Sequence, residues 1–318
     1  MRFARNDVRM KILLLGANGQ VGHALRETLA RVGELVCATR DGTLDDGGAC
    51  MAADLAQPAS LACALDTARP DLVVNAAAYT AVDRAEDEPD LADRINHLAI
   101  GEIGAWAAAH EALVVHYSTD YVFDGHATRP YYENDATAPA GAYARSKCAG
   151  EVALRASGAR HFILRTAWVH AARGHNFLRT MLRLAAERDE LRVVADQTGS
   201  PTPAHWIAQV TARMLDRWLT LSAADRMQAL GTYHLVASGR CSWADFARAI
   251  VAAACESGII AVPPSVIPIA TSDFPTRASR PRWSVLDTSK LHLTFGIQLP
   301  SWETGLREVM AEISASRP

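Results

Sequence analysis

Tyr143 and Lys147 stand one helical turn apart in Y-A-R-S-K. On a helix that spacing puts both side chains on one face. A phenol at its free pKa of roughly 10 is a poor acid–base group at neutral pH. An ammonium alongside favours the phenolate and draws that value toward the working range. The tyrosine then suits one task, giving a proton to a carbonyl oxygen while hydride reaches the carbonyl carbon. Y-x-x-x-K by itself also occurs on many solvated helix faces. What separates this pair from those is Ser118, Thr119 and Asp120, which end a β-rich run upstream. In an open α/β sheet, ligands sit beyond the carboxyl ends of the strands. A hydroxyl there can donate to the same carbonyl oxygen and stabilise its developing charge.

Hydride chemistry requires a donor, and the start of the chain offers a place for one. Gly16, Gly19 and Gly22 form G-x-x-G-x-x-G between a strand and a helix. The first glycine allows the tight turn, the second lets a pyrophosphate approach the backbone, and the third lets helix and sheet pack closely. Free N–H groups and the helix dipole hold the phosphates. Lys147 can then also hold the nicotinamide ribose. At the end of the second strand stand Thr39 and Arg40, with Asp41 beyond. Arg40 can pair with a 2′-phosphate, which favours NADPH over NADH; as a solvated loop charge it leaves the choice open. Asp54 and Leu55, after the third strand, suit the adenine edge.

These groups must be carried by alternating strands and helices. Lys11–Leu15, Leu35–Thr39, a short run ending near Asp54, Leu72–Asn75, Leu113–Ser118 and Phe162–Leu164 read as six strands. Helices are expected at about Gly19–Arg31, over much of Asp83–His110, and at Tyr143–Ala156. This is the pattern of an α/β fold, a doubly wound parallel sheet of Rossmann type. Beyond Arg165 the pattern loosens. Helices at Asn176–Arg188 and from Trp243, strands at Leu191–Val194 and Tyr233–Val236, a polar stretch near Ser222–Met227, a proline-rich irregular segment Val262–Arg282 and a final helix from Trp302 follow. The expected organisation is a flexible extension over 1–9, a dinucleotide-binding domain over 10–170, and a smaller C-terminal substrate lobe over 171–318, interleaved with the sheet.

Bulk properties set the outer bounds. The chain has 318 residues, 49% hydrophobic and 21% charged, an ordinary globular composition that excludes disordered and fibrous classes. A net charge of −3 offers no broad positive field for nucleic acid or anionic lipid. No apolar run approaches the roughly 18 residues of a spanning helix, and Met1–Arg9 has no apolar core of a secretory signal. Six cysteines without a CxxC pair read as reduced thiols, so a cytoplasmic location is expected. Trp106, Trp206, Trp218 and Trp243 read as packing residues, and His97, His110 and His205 as structural histidines. No metal site is expected. Trp168, following the sixth strand, is read instead as a substrate contact.

The stretches GANGQVG (Gly16–Gly22), VVNAAAYTAVDRAE (Val73–Glu86), VHYSTDYVFDG (Val115–Gly125), YARSKCAGE (Tyr143–Glu151), RTAWVHA (Arg165–Ala171), NFLRTMLRLA (Asn176–Ala185), DQTGSPT (Asp196–Thr202) and SRP (Ser279–Pro281) together resemble the extended short-chain dehydrogenase/reductase superfamily. Within it the resemblance is to the dTDP-4-dehydrorhamnose reductase family, from Lys11 to about Met310. It implies Tyr143 as proton donor, Lys147 as its partner and Thr119 as hydrogen-bond donor to the carbonyl. Gly19, Gln20 and Val21 would hold the pyrophosphate, and Ala78, Tyr79 and Thr80 would line the cofactor. Asp120, Val82 and Trp168 would border the sugar, Asn176, Phe177 and Gln197 the nucleotide, and Arg280 either the diphosphate or a structural ion pair. The implied reaction moves hydride from NADPH or NADH to C4 of dTDP-4-dehydro-β-L-rhamnose, the last step toward rhamnose for cell wall or lipopolysaccharide. The same resemblance leaves open a 6-deoxy-talose-forming ketoreductase, an epimerase or dehydratase, and a non-catalytic regulatory subunit of methionine adenosyltransferase. His23 and Ala24 occupy the stretch where metal-bridged relatives place a carboxylate, so a monomer or weak homodimer is expected.

Overall fold

The computed structural model describes residues 9–316, so the expected flexible extension lies outside it apart from Arg9. The chain opens with β1 (Lys11–Leu15), α1 (Gln20–Ala30), β2 (Glu34–Thr39), β3 (Met51–Ala52), α2 (Pro58–Ala68) and β4 (Leu72–Asn75). Then come α3 (Pro89–Asp93), a π-helical turn over Arg94–Leu98, α4 (Ala99–Ala109), β5 (Leu113–Thr119), α5 (Ala142–Ala156) and β6 (Arg160–Thr166). The C-terminal half holds β7 (Val169–His170), α6 (Phe177–Glu187), β8 (Glu190–Val194), β9 (Thr198–Gly199), β10 (Thr202–Pro203), α7 (Ala204–Thr220) and α8 (Ala223–Gln228). It ends with β11 (Gly231–His234), β12 (Cys241–Ser242), α9 (Trp243–Glu256), β13 (Ser265–Ile269), α10 (Ser289–Phe295) and α11 (Trp302–Ala315).

Among the described residues the main sheet has seven strands in the order β11-β6-β5-β4-β1-β2-β3, all parallel. Its central strands are apolar on both faces because both are covered, as a parallel sheet with crossover helices demands. Ile12, Leu14, Val74, Val115 and Leu164 pack on the side of α1, α6, α7, α9 and α11. Leu13, Leu15, Val73, Val114 and Ile163 pack on the side of α2 and α4. Strand order reverses between β1 and β4, and at such a switch the loops diverge and leave a crevice.

Three segments differ from the sequence reading. The polar stretch near Ser222–Met227 is helical, because Ser222 caps α8 by accepting from the Asp225 N–H. The segment Val262–Arg282 is not wholly irregular: β13 pairs in parallel with β8. In β13 Pro268 sits in an outer strand with one neighbour, where a missing N–H costs little. The sixth strand reaches from Arg160 to Thr166, well beyond its apolar centre, since β5 pairs with it over that whole length, from Leu113↔Arg160 to Thr119↔Thr166.

Candidate active site at the carboxyl edge of the sheet

The turn from β1 into α1 is built as a phosphate cradle. Gly16 has φ +80°, and a Cβ there would lie 2.6 Å from the Ala77 backbone nitrogen. A Cβ on Gly22 would lie 2.0 Å from the Gly16 carbonyl oxygen, so α1 can sit this close only with glycine there. Gly19 caps α1 without a side-chain hydrogen bond, and no acidic residue occupies the first turn. The leading N–H groups of α1 are thus left for an external acceptor, in contrast to α9, where Ser242 and Asp245 form a capping box. These features fit a dinucleotide pyrophosphate.

The crevice over this turn is a single cleft of about 1630 Å³. It exceeds the roughly 300–1,000 Å³ of a pocket for one small ligand, and so has room for two. Every residue singled out for cofactor or substrate lines it except Gly22, which lies behind the turn as a packing position. At the ribose end, Thr39 Oγ1 donates to Asp41 Oδ1 at 3.1 Å and is thereby committed to its own loop. Arg40 is exposed at the cleft and takes part in no ion pair among the described residues. Asp54 Oδ1 accepts from the Ala56 N–H, and Leu55 is buried, so the loop after β3 presents a fixed wall.

At the sheet's centre β5 delivers Thr119 and the turn that follows it delivers Asp120, both buried, and α5 delivers Tyr143 and Lys147. Thr119 Oγ1 donates to Asp120 Oδ1 at 3.0 Å and accepts from the Tyr121 N–H at 3.2 Å. Tyr121 meets the Tyr143 ring edge-on, with centroids 6.0 Å apart. Burial pushes the Tyr143 phenol up to about 12, with the Thr119 hydroxyl pulling it partly back. Burial also pushes Asp120 up to about 6. Lys147 is brought down to about 8 by burial, with Glu151 opposing. Its Nζ donates to the Tyr117 carbonyl at 2.6 Å and lies 3.3 Å from His116 Nε2.

This corrects the expected electrostatics. The lysine was expected to acidify the phenol, yet its ammonium is turned to the β5 backbone, and desolvation governs Tyr143. The phenol therefore keeps its proton at neutral pH, which is the form an acid needs when a carbonyl is reduced.

Toward the C-terminal half, Trp168 adopts φ +47°, a strained conformation for a bulky residue, and stacks on Trp243 with centroids 3.4 Å apart and planes 3° apart. Phe177 closes on Trp243 at 4.5 Å. Trp243, read from sequence as packing, lines the cleft; nothing in its helical spacing distinguishes it. Asn176 caps α6 by accepting from Arg179 N–H, and its Nδ2 donates to Gln20 Oε1 at 2.8 Å, so its polar atoms are spent locally. Gln197 Nε2 donates to Thr271 Oγ1 at 3.1 Å. Of the two readings of Arg280, the ion pair forms: Nη2 meets Asp83 Oδ2 at 2.6 Å and Nη1 meets Oδ1 at 3.1 Å. That pair ties the proline-rich segment to the loop after β4.

Two asparagines escaped the sequence reading. Asn96, in the π-helical turn, accepts from Tyr79 N–H at 2.9 Å and donates to Tyr79 O and Ser146 Oγ, pinning the loop that carries Ala78–Thr80. Asn75 turns inward at the end of β4. A single buried amide leaves no periodic trace.

A glycine cradle at the head of a doubly wound sheet, opening on the same cleft as a proton-loaded phenol, defines a NAD(P)-dependent oxidoreductase of the extended short-chain dehydrogenase/reductase type. The family is narrower. Residues 10–315 match the RmlD substrate binding domain family, and the chain belongs to it. It is 47% identical over 295 residues, 92% of this chain and 95% of the other, to dTDP-4-dehydrorhamnose reductase of Burkholderia thailandensis. To dTDP-4-dehydrorhamnose reductase of Escherichia coli K12 it is 42% identical over 304 residues, 96% of this chain and 98% of the other. The crystal structure of dTDP-4-dehydrorhamnose reductase from Bacillus anthracis in complex with NADP superposes with a TM-score of 0.84 at 32% identity, covering 96% of this chain and 100% of that one.

Proposed function

We infer that this chain reduces the C4 keto group of dTDP-4-dehydro-β-L-rhamnose to give dTDP-L-rhamnose, using NADPH or NADH. The observation that carries the reading is the opening of the glycine turn, Thr119, Tyr143 and Lys147 onto one cleft large enough for a dinucleotide and a sugar nucleotide together. The reduced nicotinamide, when bound, supplies the hydride.

The chain's own residues do the rest. The N–H groups of Gln20 and Val21 at the start of α1 hold the pyrophosphate. Arg40, exposed at the ribose end, faces a 2′-phosphate and favours NADPH. Lys147 donates to the nicotinamide ribose hydroxyls. Thr119, its hydroxyl proton swung from Asp120 Oδ1 to the substrate, donates to the C4 carbonyl oxygen and steadies the charge that develops there. Tyr143 gives that oxygen its proton, which its desolvated phenol retains at working pH. Asp120, Val82 and Trp168 border the sugar ring, and Phe177 with Trp243 forms the wall beyond.

Turnover of the purified protein with the 4-keto sugar nucleotide and each cofactor, with the product identified by NMR, tests this reading. Stoichiometric oxidation of NADPH with formation of the L-rhamno product is expected, faster than with NADH. No net cofactor oxidation would indicate an epimerase or a binding subunit, and a talo product would reassign the stereochemistry.

A further inference from the structure

Beneath α5, the sheet register sets Asn75 of β4 directly beside His116 of β5. His116 is fully buried, and none of the steps above uses it. Asn75 Oδ1 accepts from the Ala77 N–H at 3.1 Å, which fixes the amide so that Nδ2 is the atom 3.2 Å from His116 Nδ1. An amide nitrogen only donates, so Nδ1 must be the bare, accepting nitrogen, and the single proton of a neutral imidazole then sits on Nε2. The ring is neutral, because burial above all holds His116 well below its ordinary range.

Nε2 with its proton points across 3.3 Å at Lys147 Nζ. An ammonium has three N–H groups and no lone pair, so at this contact two donors would oppose each other. A neutral amine has a lone pair that accepts the Nε2–H while its own protons serve the Tyr117 carbonyl and a ligand hydroxyl.

We propose that Asn75 and His116 are positioning residues that fix this imidazole tautomer beneath Lys147 and thereby favour its neutral amine over its ammonium. The proposal rests on the reading that Lys147 serves the nicotinamide ribose, and it deepens that reading: the pair tunes the proton affinity of the group that holds the reacting half of the cofactor. The other groups around Lys147 are accounted for. Along α5, Glu151 lies one turn on and favours the ammonium, but its carboxylate is gripped by Arg165 of β6 at 2.9 and 2.7 Å and by Arg155 at 2.6 Å. Tyr143 lies one turn before and stays protonated. On β6, His161 is held below its usual range mainly by burial, and it acts on His116 in the same direction as burial does, as the smallest of the three influences. Burial of Lys147 itself acts in the same direction as the tautomer, toward about 8.

The chain contains only Lys11, Lys147 and Lys290 as lysines, so isotope-labelled lysine gives an NMR spectrum in which Lys147 is assigned by Lys147→Arg. Labelled histidine reports the ring nitrogens, with His116 assigned by His116→Gln. In the native protein His116 is expected as the Nε2–H tautomer, with Lys147 titrating near 8. In Asn75→Asp the carboxylate keeps the Ala77 contact but accepts from Nδ1–H. The ring should then switch tautomer and the Lys147 titration rise by about one pH unit, tenfold in proton affinity. A native His116 protonated on Nδ1 overturns the proposal and requires no variant. A rise in Lys147 without a switch of the ring also overturns it, because charge alone would then be responsible, and so does a switch without a rise. None of these readouts needs turnover, so they stand or fall separately from the reductase reaction.

Discussion

Tyr143 and Asp120 face the same cleft and are both desolvated, yet desolvation serves them differently. For the phenol it preserves the proton that the reaction consumes. Tyr143→Phe should therefore lower kcat by about 10²-fold or more while leaving NADPH affinity within a few-fold, as measured by cofactor fluorescence titration beside the turnover assay. For Asp120 the same burial is a cost to the fold. Its folded-state value of about 6 lies above the ordinary 3.8, so the native state binds the proton more tightly than the unfolded chain does. Its contribution to stability is full below 3.8 and is lost as pH rises through about 6. Asp120→Asn, which cannot ionise, should raise stability by roughly 1–3 kcal/mol at pH 7–8 and by little at pH 4. Melting temperatures of both proteins across that range decide it, and an equal gain at both ends would remove ionisation as the cause.

The elements that carry these groups were legible to different degrees, and the reasons are local. β1, β4 and β5 read clearly because a parallel strand covered on both sides is a continuous apolar run bounded by glycine or polar residues. The glycine spacing located the cradle because Gly16 and Gly22 are dictated by backbone contact rather than by preference. Gly22→Ala should accordingly push α1 away from the turn, since its Cβ would meet the Gly16 carbonyl at 2.0 Å. A loss of about 1–3 kcal/mol in stability, with at least tenfold weaker NADPH binding, is expected from chemical denaturation and titration; unchanged cofactor affinity would mean that the turn does not hold the pyrophosphate. The far wall of the cleft was the opposite case. The Trp168–Trp243 stack joins residues distant in sequence, and it is made possible by Gly199, where a Cβ would lie 2.5 Å from Trp168 Cε2. No helical or strand period connects those three positions. The orientation of Lys147 was equally hidden, because whether an ammonium meets a phenol or a carbonyl depends on strand register, which spacing along one helix does not encode.

Taken whole, the two halves of the chain meet in one sheet. The strand beside β6 is β11, contributed by the C-terminal half, and α7 from that half packs on α1. Phe162 of β6 is covered by Trp218, Tyr233 and Phe295, with ring centroids 6.1, 6.1 and 5.9 Å away. All three partners lie beyond residue 170, as do Leu215, Ile250 and Val309 in the same buried cluster. A chain ending at His170 would leave only α1 on that face of the sheet, and each large apolar side chain uncovered costs about 1.5–3 kcal/mol. A few such losses exceed the 5–15 kcal/mol that separates a typical folded domain from its unfolded state. Residues 9–170 alone should therefore show no cooperative thermal transition by circular dichroism and no saturable NADPH binding, even though they contain the glycine turn, Thr119, Tyr143 and Lys147. A sharp transition with cofactor binding in that fragment would mean that the nucleotide half is autonomous. The C-terminal half would then be a cover laid on a finished fold, rather than one wall of its core.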